Sequence, residues 1–172
     1  MGLIRYQVAM SLDGYIAGPN DEYDWIPQDP DIDFAALFSQ FDVVLLGRRT
    51  FEPLAKAGNV SMFDGMKTYV VSKTLLQSEH PEVTIIANNL EAAVASLRDE
   101  TVKDIWLFGG GRLFQTLLNA ELVDRIEIAV VPVLLGGGIP MAQPPFETRK
   151  LTLANQKVYD KSGIVLLEYT LE

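Results

Sequence analysis

Along the chain, short β-branched apolar runs alternate with stretches whose apolar residues recur at helical spacing. Residues 4–10, 43–46, 68–71, 83–87 and 105–108 read as strands. Between them Phe34, Leu37, Phe38 and Phe41 repeat at i, i+3, i+4 and i+7, one face of a helix that begins near Asp31 to Asp33. Leu90, Val94 and Leu97 make a second stripe, for which Asn88 or Asn89 offers a cap, and Leu113, Phe114, Leu117 and Leu118 make another. Gly47 precedes one more helix, provided that Pro53 lies in its first turn, because proline deeper in a helix deletes a hydrogen bond. This alternation predicts helices packed on both faces of a largely parallel sheet. After residue 124 the character changes. Residues 125–133, 150–158 and 164–171 read as strands with no helical stripe between them, so the sheet is predicted to finish antiparallel, with Asp160-Lys161-Ser162-Gly163 as the last hairpin turn. The segment 11–20 and the stretch 136–146, rich in glycine and proline, read as irregular connections. The expected fold is α/β, a three-layer α/β/α arrangement around a mixed, mainly parallel sheet, in one domain over residues 1–172.

Composition narrows the chemistry more than the architecture. The 172 residues are 48% hydrophobic and 22% charged, an ordinary globular balance, and a chain of this size buries roughly 68–70% of its unfolded surface without needing a disulfide or structural metal. There is no cysteine and one histidine, His80. Thiolate nucleophiles, cysteine-ligated zinc, iron–sulfur clusters and multi-histidine metal centres are thereby excluded, and no metal is expected. A net charge of −9 disfavours nucleic acid and anionic membranes as partners, so any phosphate must be held locally. The N-terminus shows no secretory signal, and no apolar run approaches the ~20 residues of a membrane span. A cytoplasmic protein is expected.

Local phosphate sites are what three strand ends offer. Gly47-Arg48-Arg49-Thr50, Ser72-Lys73-Thr74 and Gly109-Gly110-Gly111-Arg112 each follow an apolar strand, and ligands of open α/β sheets lie outside the carboxyl ends of strands, where helix N-termini present free amides. Singly, the glycine run reads as a tight turn and Arg49 as a surface charge; together they place cations along one edge of an anionic protein. Neither the G-x-G-x-x-G fingerprint nor the G-x-x-x-x-G-K-[ST] loop is present. A hydrolase would have to use Ser11 or Ser72, with His80 as its base.

Read in order, Gly47-Arg48-Arg49-Thr50, Val70-Val71-Ser72-Lys73 and Leu107-Phe108-Gly109-Gly110-Gly111-Arg112-Leu113-Phe114 resemble the NADPH-binding segments of dihydrofolate reductases. Ser11-Leu12-Asp13-Gly14-Tyr15-Ile16-Ala17 and Val131-Pro132-Val133-Leu134-Leu135-Gly136-Gly137-Gly138-Ile139-Pro140 resemble more closely the C-terminal reductase domain of the riboflavin-biosynthesis deaminase-reductases and its free-standing bacterial relatives. The resemblance covers nearly the whole chain. It implies a dihydrofolate reductase-like fold and NADPH as cofactor, with Arg48, Arg49 and Thr50 beside Gly47 at the phosphates and adenosine side, Ser72 and Lys73 at the 2′-phosphate, and Gly109, Gly110, Gly111, Arg112 and Leu113 at the pyrophosphate. It further implies that Ala9, Asp13, Gly14 and Ile16 line the nicotinamide and the substrate entrance. A homodimer, common among such relatives, is expected.

Departures from the family pattern matter as well. In dihydrofolate reductases an arginine anchors the folate carboxylate where Phe63-Asp64-Gly65-Met66-Lys67 has Met66, which argues against folate. The zinc deaminase half requires cysteines that this chain lacks. Two carboxylates are candidate proton donors: Asp13, alternatively a turn residue before Gly14, and Asp33 (or its neighbour Asp31), alternatively a helix cap. Trp25 could stack on a flat heterocycle or close the core under a loop. The function expected is NADPH-dependent reduction of a small pterin- or aminopyrimidine-like heterocycle. The alternatives are 5-amino-6-(5-phosphoribosylamino)uracil reduction in riboflavin biosynthesis and a non-catalytic nucleotide- or ligand-binding module.

Overall fold

The computed structural model describes residues 1–171. Its strands are β1 (Ile4–Ser11), β2 (Tyr15–Ala17), β3 (Phe41–Gly47), β4 (Lys67–Val71), β5 (Thr84–Ile86), β6 (Asp104–Gly109), β7 (Arg125–Val131), β8 (Ile139–Pro140), β9 (Leu151–Tyr159) and β10 (Ile164–Leu171). Helices α1 (Phe34–Phe38), α2 (Arg48–Lys56), α3 (Leu90–Glu100) and α4 (Gly111–Asn119) connect them. Among the described residues the main sheet has the order β5-β4-β3-β6-β1-β7-β10-β9. All neighbours from β5 to β7 pair parallel, whereas β10 pairs antiparallel with both β7 and β9. The expected mixed sheet and antiparallel finish are therefore present.

Alternation within the strands divides the core in two. In β3, Val43 and Leu45 join a cluster with Val94 and Leu97 of α3 and Leu113, Phe114, Leu117 and Leu118 of α4. Val44 and Leu46, one residue out of step, face the opposite way, into a cluster containing Phe51 of α2 and packed by Leu37 and Phe38 of α1. A central strand buried on both sides must be apolar throughout, which is why β3 reads as a continuous run. On the first face Tyr6 stacks on Phe114 with ring centroids 3.9 Å apart and donates its hydroxyl to the Met141 carbonyl at 2.9 Å. On the second, Trp106 is ringed by Phe38, Phe41, Phe63 and Phe108.

Local expectations fail at four places. Pro53 lies inside α2, beyond its first turn, and its missing N–H leaves the Arg49 carbonyl without the usual donor four residues on. Asn89 occupies the N-cap position of α3 but is left-handed (φ 50°) and makes no side-chain cap bond. The strand read at 83–87 shortens to β5. The two supposedly irregular segments pair with each other, β2 against β8, as a small second sheet. Strands of three and two residues are too short to show a period. Glycine permits the close approach: a Cβ on Gly138 would lie 2.1 Å from the Ala17 carbonyl oxygen, and one on Gly111 would lie 2.6 Å from that of Pro140.

Candidate active site

A cleft of about 1180 Å³ opens where the carboxyl ends of β3 and β6 release α2 and α4. Gly47 caps α2 and Gly110 caps α4, neither has a side chain to satisfy the first-turn amides, and neither helix has an acidic residue in its first turn. Instead the first turns carry Arg48, Arg49 and Arg112, all lining the cleft. Cations at the positive end of a helix are unfavourable in isolation; Arg48 pairs with Glu52 at 3.6 Å and Arg49 with Asp21 at 3.7 Å, beside two N-termini whose amides no side chain caps. The two starts adjoin: a Cβ on Gly47 would sit 3.8 Å from the Gly110 nitrogen, and one on Gly110 would sit 3.6 Å from Thr50 Oγ1. Gly109, at φ 132°, holds a backbone conformation open to glycine, with nothing within 4 Å of the missing Cβ. These residues suit a pyrophosphate group.

The opposite wall is the loop before α1, which contributes Asp21, Tyr23, Ile26 and Pro27. It is tied down at both ends. Asp21 pairs with Arg49 at 3.7 Å; Asp29 accepts from the Ser162 amide at 2.9 Å, and Asp31 pairs with Lys161 at 2.9 Å. The Ser162 hydroxyl first, then the Asp31 amide, hold the Asp29 carboxyl below the usual aspartate range against partial desolvation.

The floor is the face of β1, β7, β10 and β9 that the short α1 leaves uncovered. Register places Ala9 beside Ala129 and Leu166, and Gln7 beside Glu127 and Glu168, and all six line the cleft. Arg5 grips Glu127 through two bonds, Nε to Oε1 at 2.7 Å and Nη2 to Oε2 at 2.9 Å, while its Nη1 donates to Gln40 and Asp104. Burial alone would lower the Arg5 pKa, but the bonds to Glu127 and Asp104 outweigh it and raise it. Both charges are thereby spoken for. Apart from Ala9, sequence reasoning missed these floor residues, although an arginine and a glutamine in β1 and a glutamate in apolar β7 were visible as polar intrusions.

Of the residues anticipated from sequence, Ala9, Ile16, Asp33, Gly47, Arg48, Arg49, Thr50, Gly110, Gly111, Arg112 and Leu113 line this one cleft. Asp13, Gly14, Trp25, Ser72, Lys73 and Gly109 fall outside its lining. Asp13 accepts from Ser11 Oγ and from the amides of Leu135 and Gly136 at 3.1 and 2.8 Å, tying β1 to the loop before β8. The Ser11 hydroxyl foremost, helped by those amides against some desolvation, keeps its carboxyl below the ordinary value, a poor state for a proton donor. Gly14 follows it at φ 94°, a turn residue. Trp25 donates Nε1 to the Glu22 carbonyl at 3.0 Å and leaves the wall to Tyr23 and Ile26. Ser72 Oγ accepts from the amides of Thr74 and Leu75, fixing the turn after β4, and Lys73 is exposed beyond it. Gly111 is required by its approach to Pro140 as well as by the cleft. Asp33 caps α1, its Oδ1 accepting from the Ala36 amide at 2.9 Å. Neither Ser11 nor Ser72 lines the cleft: Ser11 Oγ donates to Asp13, and Ser72 Oγ accepts from the Thr74 and Leu75 amides.

Known proteins resemble this chain in sequence and in fold. The Bacillus subtilis (strain 168) protein known as uncharacterized protein YyaP is 33% identical, with 96% of this chain and 93% of that protein covered. A crystal structure of a Shewanella sp. PV-4 protein assigned to riboflavin biosynthesis superposes with a TM-score of 0.84 at 25% identity, covering 100% and 99% of the two chains. Dihydrofolate reductase from Enterococcus faecalis, crystallised with NADP(H), shares the fold at a TM-score of 0.72 and 15% identity over 99% and 96% of the chains. The family model of the RibD C-terminal domain matches residues 3–165, and with the cleft, the sheet order and these relatives it establishes that the chain belongs to the RibD C-terminal domain family, a reductase-type domain on the dihydrofolate reductase fold.

Proposed function

We propose that the protein is an NADPH-dependent reductase of a small flat heterocycle, pterin- or aminopyrimidine-like. The observation that carries this reading is the pair of adjoining, side-chain-free helix N-termini with Arg48, Arg49 and Arg112 in their first turns. Gly110, Gly111 and Arg112 would hold the pyrophosphate. Because Ser72 and Lys73 stand outside the cleft wall, the cations assigned to the 2′-phosphate contract to Arg48 and Arg49. A bis-anionic phosphate suits these residues better than the acidic ribose clamp expected for NAD.

When bound, the nicotinamide supplies a hydride to a C=N or C=O carbon; the chain's part is placement and proton delivery. Ala9 and Ala129 keep the floor low enough for two flat rings to lie over it, and Ile16 and Tyr23 shield them from the side. With Asp13 bonded to the loop before β8, we assign proton delivery to Asp33, through the oxygen its cap leaves over or through water. Met66 packs into the core beneath β4 rather than lining the cleft, in keeping with a substrate other than folate.

A specific observation favours a second reading, reduction of a phosphorylated ribosylaminopyrimidine. Lys157, on β9, lines the far end of the cleft and lies 4.5 Å from the Tyr159 ring centroid, a cation separate from those assigned to the cofactor. We also propose a homodimer, because β9 is a long edge strand that exposes Leu151, Leu153 and Val158. Light scattering reads its mass directly. Consumption of NADPH with a panel of pyrimidines and pteridines, phosphorylated and not, tests the activity. Tight NADPH binding with no turnover across the panel would point to a binding module.

A further inference from the structure

The three arginines at the glycine-rich end of the cleft differ in what holds them. Among the described residues Arg112 has no ion pair. Arg48 pairs with Glu52 four residues further along the same helix, so that pair moves with α2 as one body. Arg49 pairs with Asp21, which belongs to the opposite wall. Among the described residues this is the one ion pair that joins the wall to α2 across the mouth of the cleft.

The wall presents Asp21 on a turn that is closed on itself. The Gly18 amide donates to the Glu22 carbonyl at 2.8 Å, and the Asp21 amide donates to the Gly18 carbonyl at 3.1 Å. The Glu22 carboxylate accepts from the Asn20 amide and from Asn20 Nδ2, both at 2.8 Å. Gly18 is required, because a Cβ there would run into the Glu22 carboxylate. Asp21 itself has φ 64°, in the left-handed region that aspartate and asparagine enter more readily than most residues. One carboxylate of the turn is therefore used up inside it, and the other is turned out at its tip toward a guanidinium.

Magnitudes decide what such a pair can do. Its side chains are 73% and 45% exposed, and an exposed pair contributes little to stability. At 3.7 Å it is also longer than the roughly 2.7–2.9 Å of a charge-assisted hydrogen bond. A bis-anionic phosphate brings more charge and more acceptor oxygens than a carboxylate, so it can displace Asp21 from Arg49. The displaced carboxylate then stays close by and opposes the phosphate that replaced it. A dinucleotide with a 2′-hydroxyl in that place meets no such opposition.

We propose that Asp21 is a specificity-determining residue that acts as an internal competitor for Arg49. In the free chain its carboxylate occupies the guanidinium that the cofactor's 2′-phosphate takes, which lowers affinity for the phosphorylated dinucleotide and couples release of the wall to arrival of the phosphate. The inference rests on the cofactor reading above and adds what holds Arg49 before the cofactor arrives.

The experiment is calorimetric titration of the full chain with oxidised NADP and with NAD, in the absence of substrate. Asp21→Asn, which keeps the left-handed turn and removes the charge, should bind NADP about two- to fivefold more tightly than the wild type and NAD no more tightly, the scale set by an exposed ion pair. In an Arg49→Gln background the same substitution should bring no gain, since the competition runs through the guanidinium. Amide hydrogen exchange over residues 18–27 reads the wall. Adenosine 2′,5′-bisphosphate should accelerate it in the wild type, adenosine 5′-phosphate should not, and Asp21→Asn should exchange fast with neither. Unchanged or weaker NADP binding in Asp21→Asn, a gain that persists in Arg49→Gln, or exchange that bound bisphosphate leaves unaltered would each overturn the inference. Failure of NADP to bind the wild type and every variant would instead overturn the cofactor reading beneath it.

Discussion

The two faces of one sheet have opposite fates. On the face under α3 and α4, β1 and β7 present Ile4, Tyr6, Ile126 and Ile128 to a continuous apolar core. On the other, the same strands present Arg5, Gln7 and Ala9, and Arg125, Glu127 and Ala129, to the cleft. The cause is helix coverage: α1 has five residues and α2 nine, enough to cover the β4, β3 and β6 side with an aromatic cluster but not β1, β7, β10 and β9. The difference teaches that the covered face determines the fold, whereas the uncovered one is free to hold charge and small residues. Stability and recognition are written into alternate positions of the same strands.

Mutations on each face can break this division. The largest effect is expected on stability. Phe114→Ala, behind the closed face, should lose about 3–5 kcal/mol in urea unfolding. Arg5→Ala should lose a similar amount, about 3–5 kcal/mol, since it strands Glu127, whereas replacing Arg5 and Glu127 together with apolar residues should recover most of it. A double replacement as damaging as the single one would show that the open face is structural after all. Next, Arg48→Ala should weaken NADPH by about 1.5–3 kcal/mol, and NADH by less, while leaving the unfolding midpoint nearly unchanged. Asp33→Ala should remove about 0.5–2 kcal/mol as the α1 cap goes, but Asp33→Asn, which keeps a cap, should lower turnover without that loss. Equal stability loss and unaltered kcat in both would leave Asp33 a cap alone. The smallest effect is at Asp13. Its folded pKa lies below its unfolded value, so its contribution is present above about pH 4 and disappears as pH falls through the folded value. Asp13→Asn should therefore flatten the acid limb of a stability–pH profile and leave the profile at pH 7 to 8 parallel to the wild type.

The sheet was legible because buried strands such as β3 and β6 are apolar on both sides, and the antiparallel finish because no helical stripe separates the last three strands. The glycine- and arginine-bearing end of the cleft was legible for a related reason: each of these runs directly follows an apolar strand in the sequence. What escaped the sequence depends on three-dimensional partners. Asp13 and Ser72 occupy motif positions, yet their oxygens are consumed by amides of Leu135 and Gly136 in one case and of Thr74 and Leu75 in the other. The pairing of β2 with β8 joins residues more than 120 apart in pieces too short for periodicity to register. That Arg5 neutralises Glu127 follows from strand register, which no linear pattern reveals.

The central claim is that two bare helix N-termini and their arginines form the seat of a phosphorylated nicotinamide cofactor. Titrating the wild-type chain with NADPH and with NADH, followed by nicotinamide fluorescence, tests it most directly. Saturable NADPH binding about tenfold or more tighter than that of NADH, as one charge-assisted bond to the extra phosphate provides, is the predicted result; equal affinity for both, or binding of neither, would contradict it.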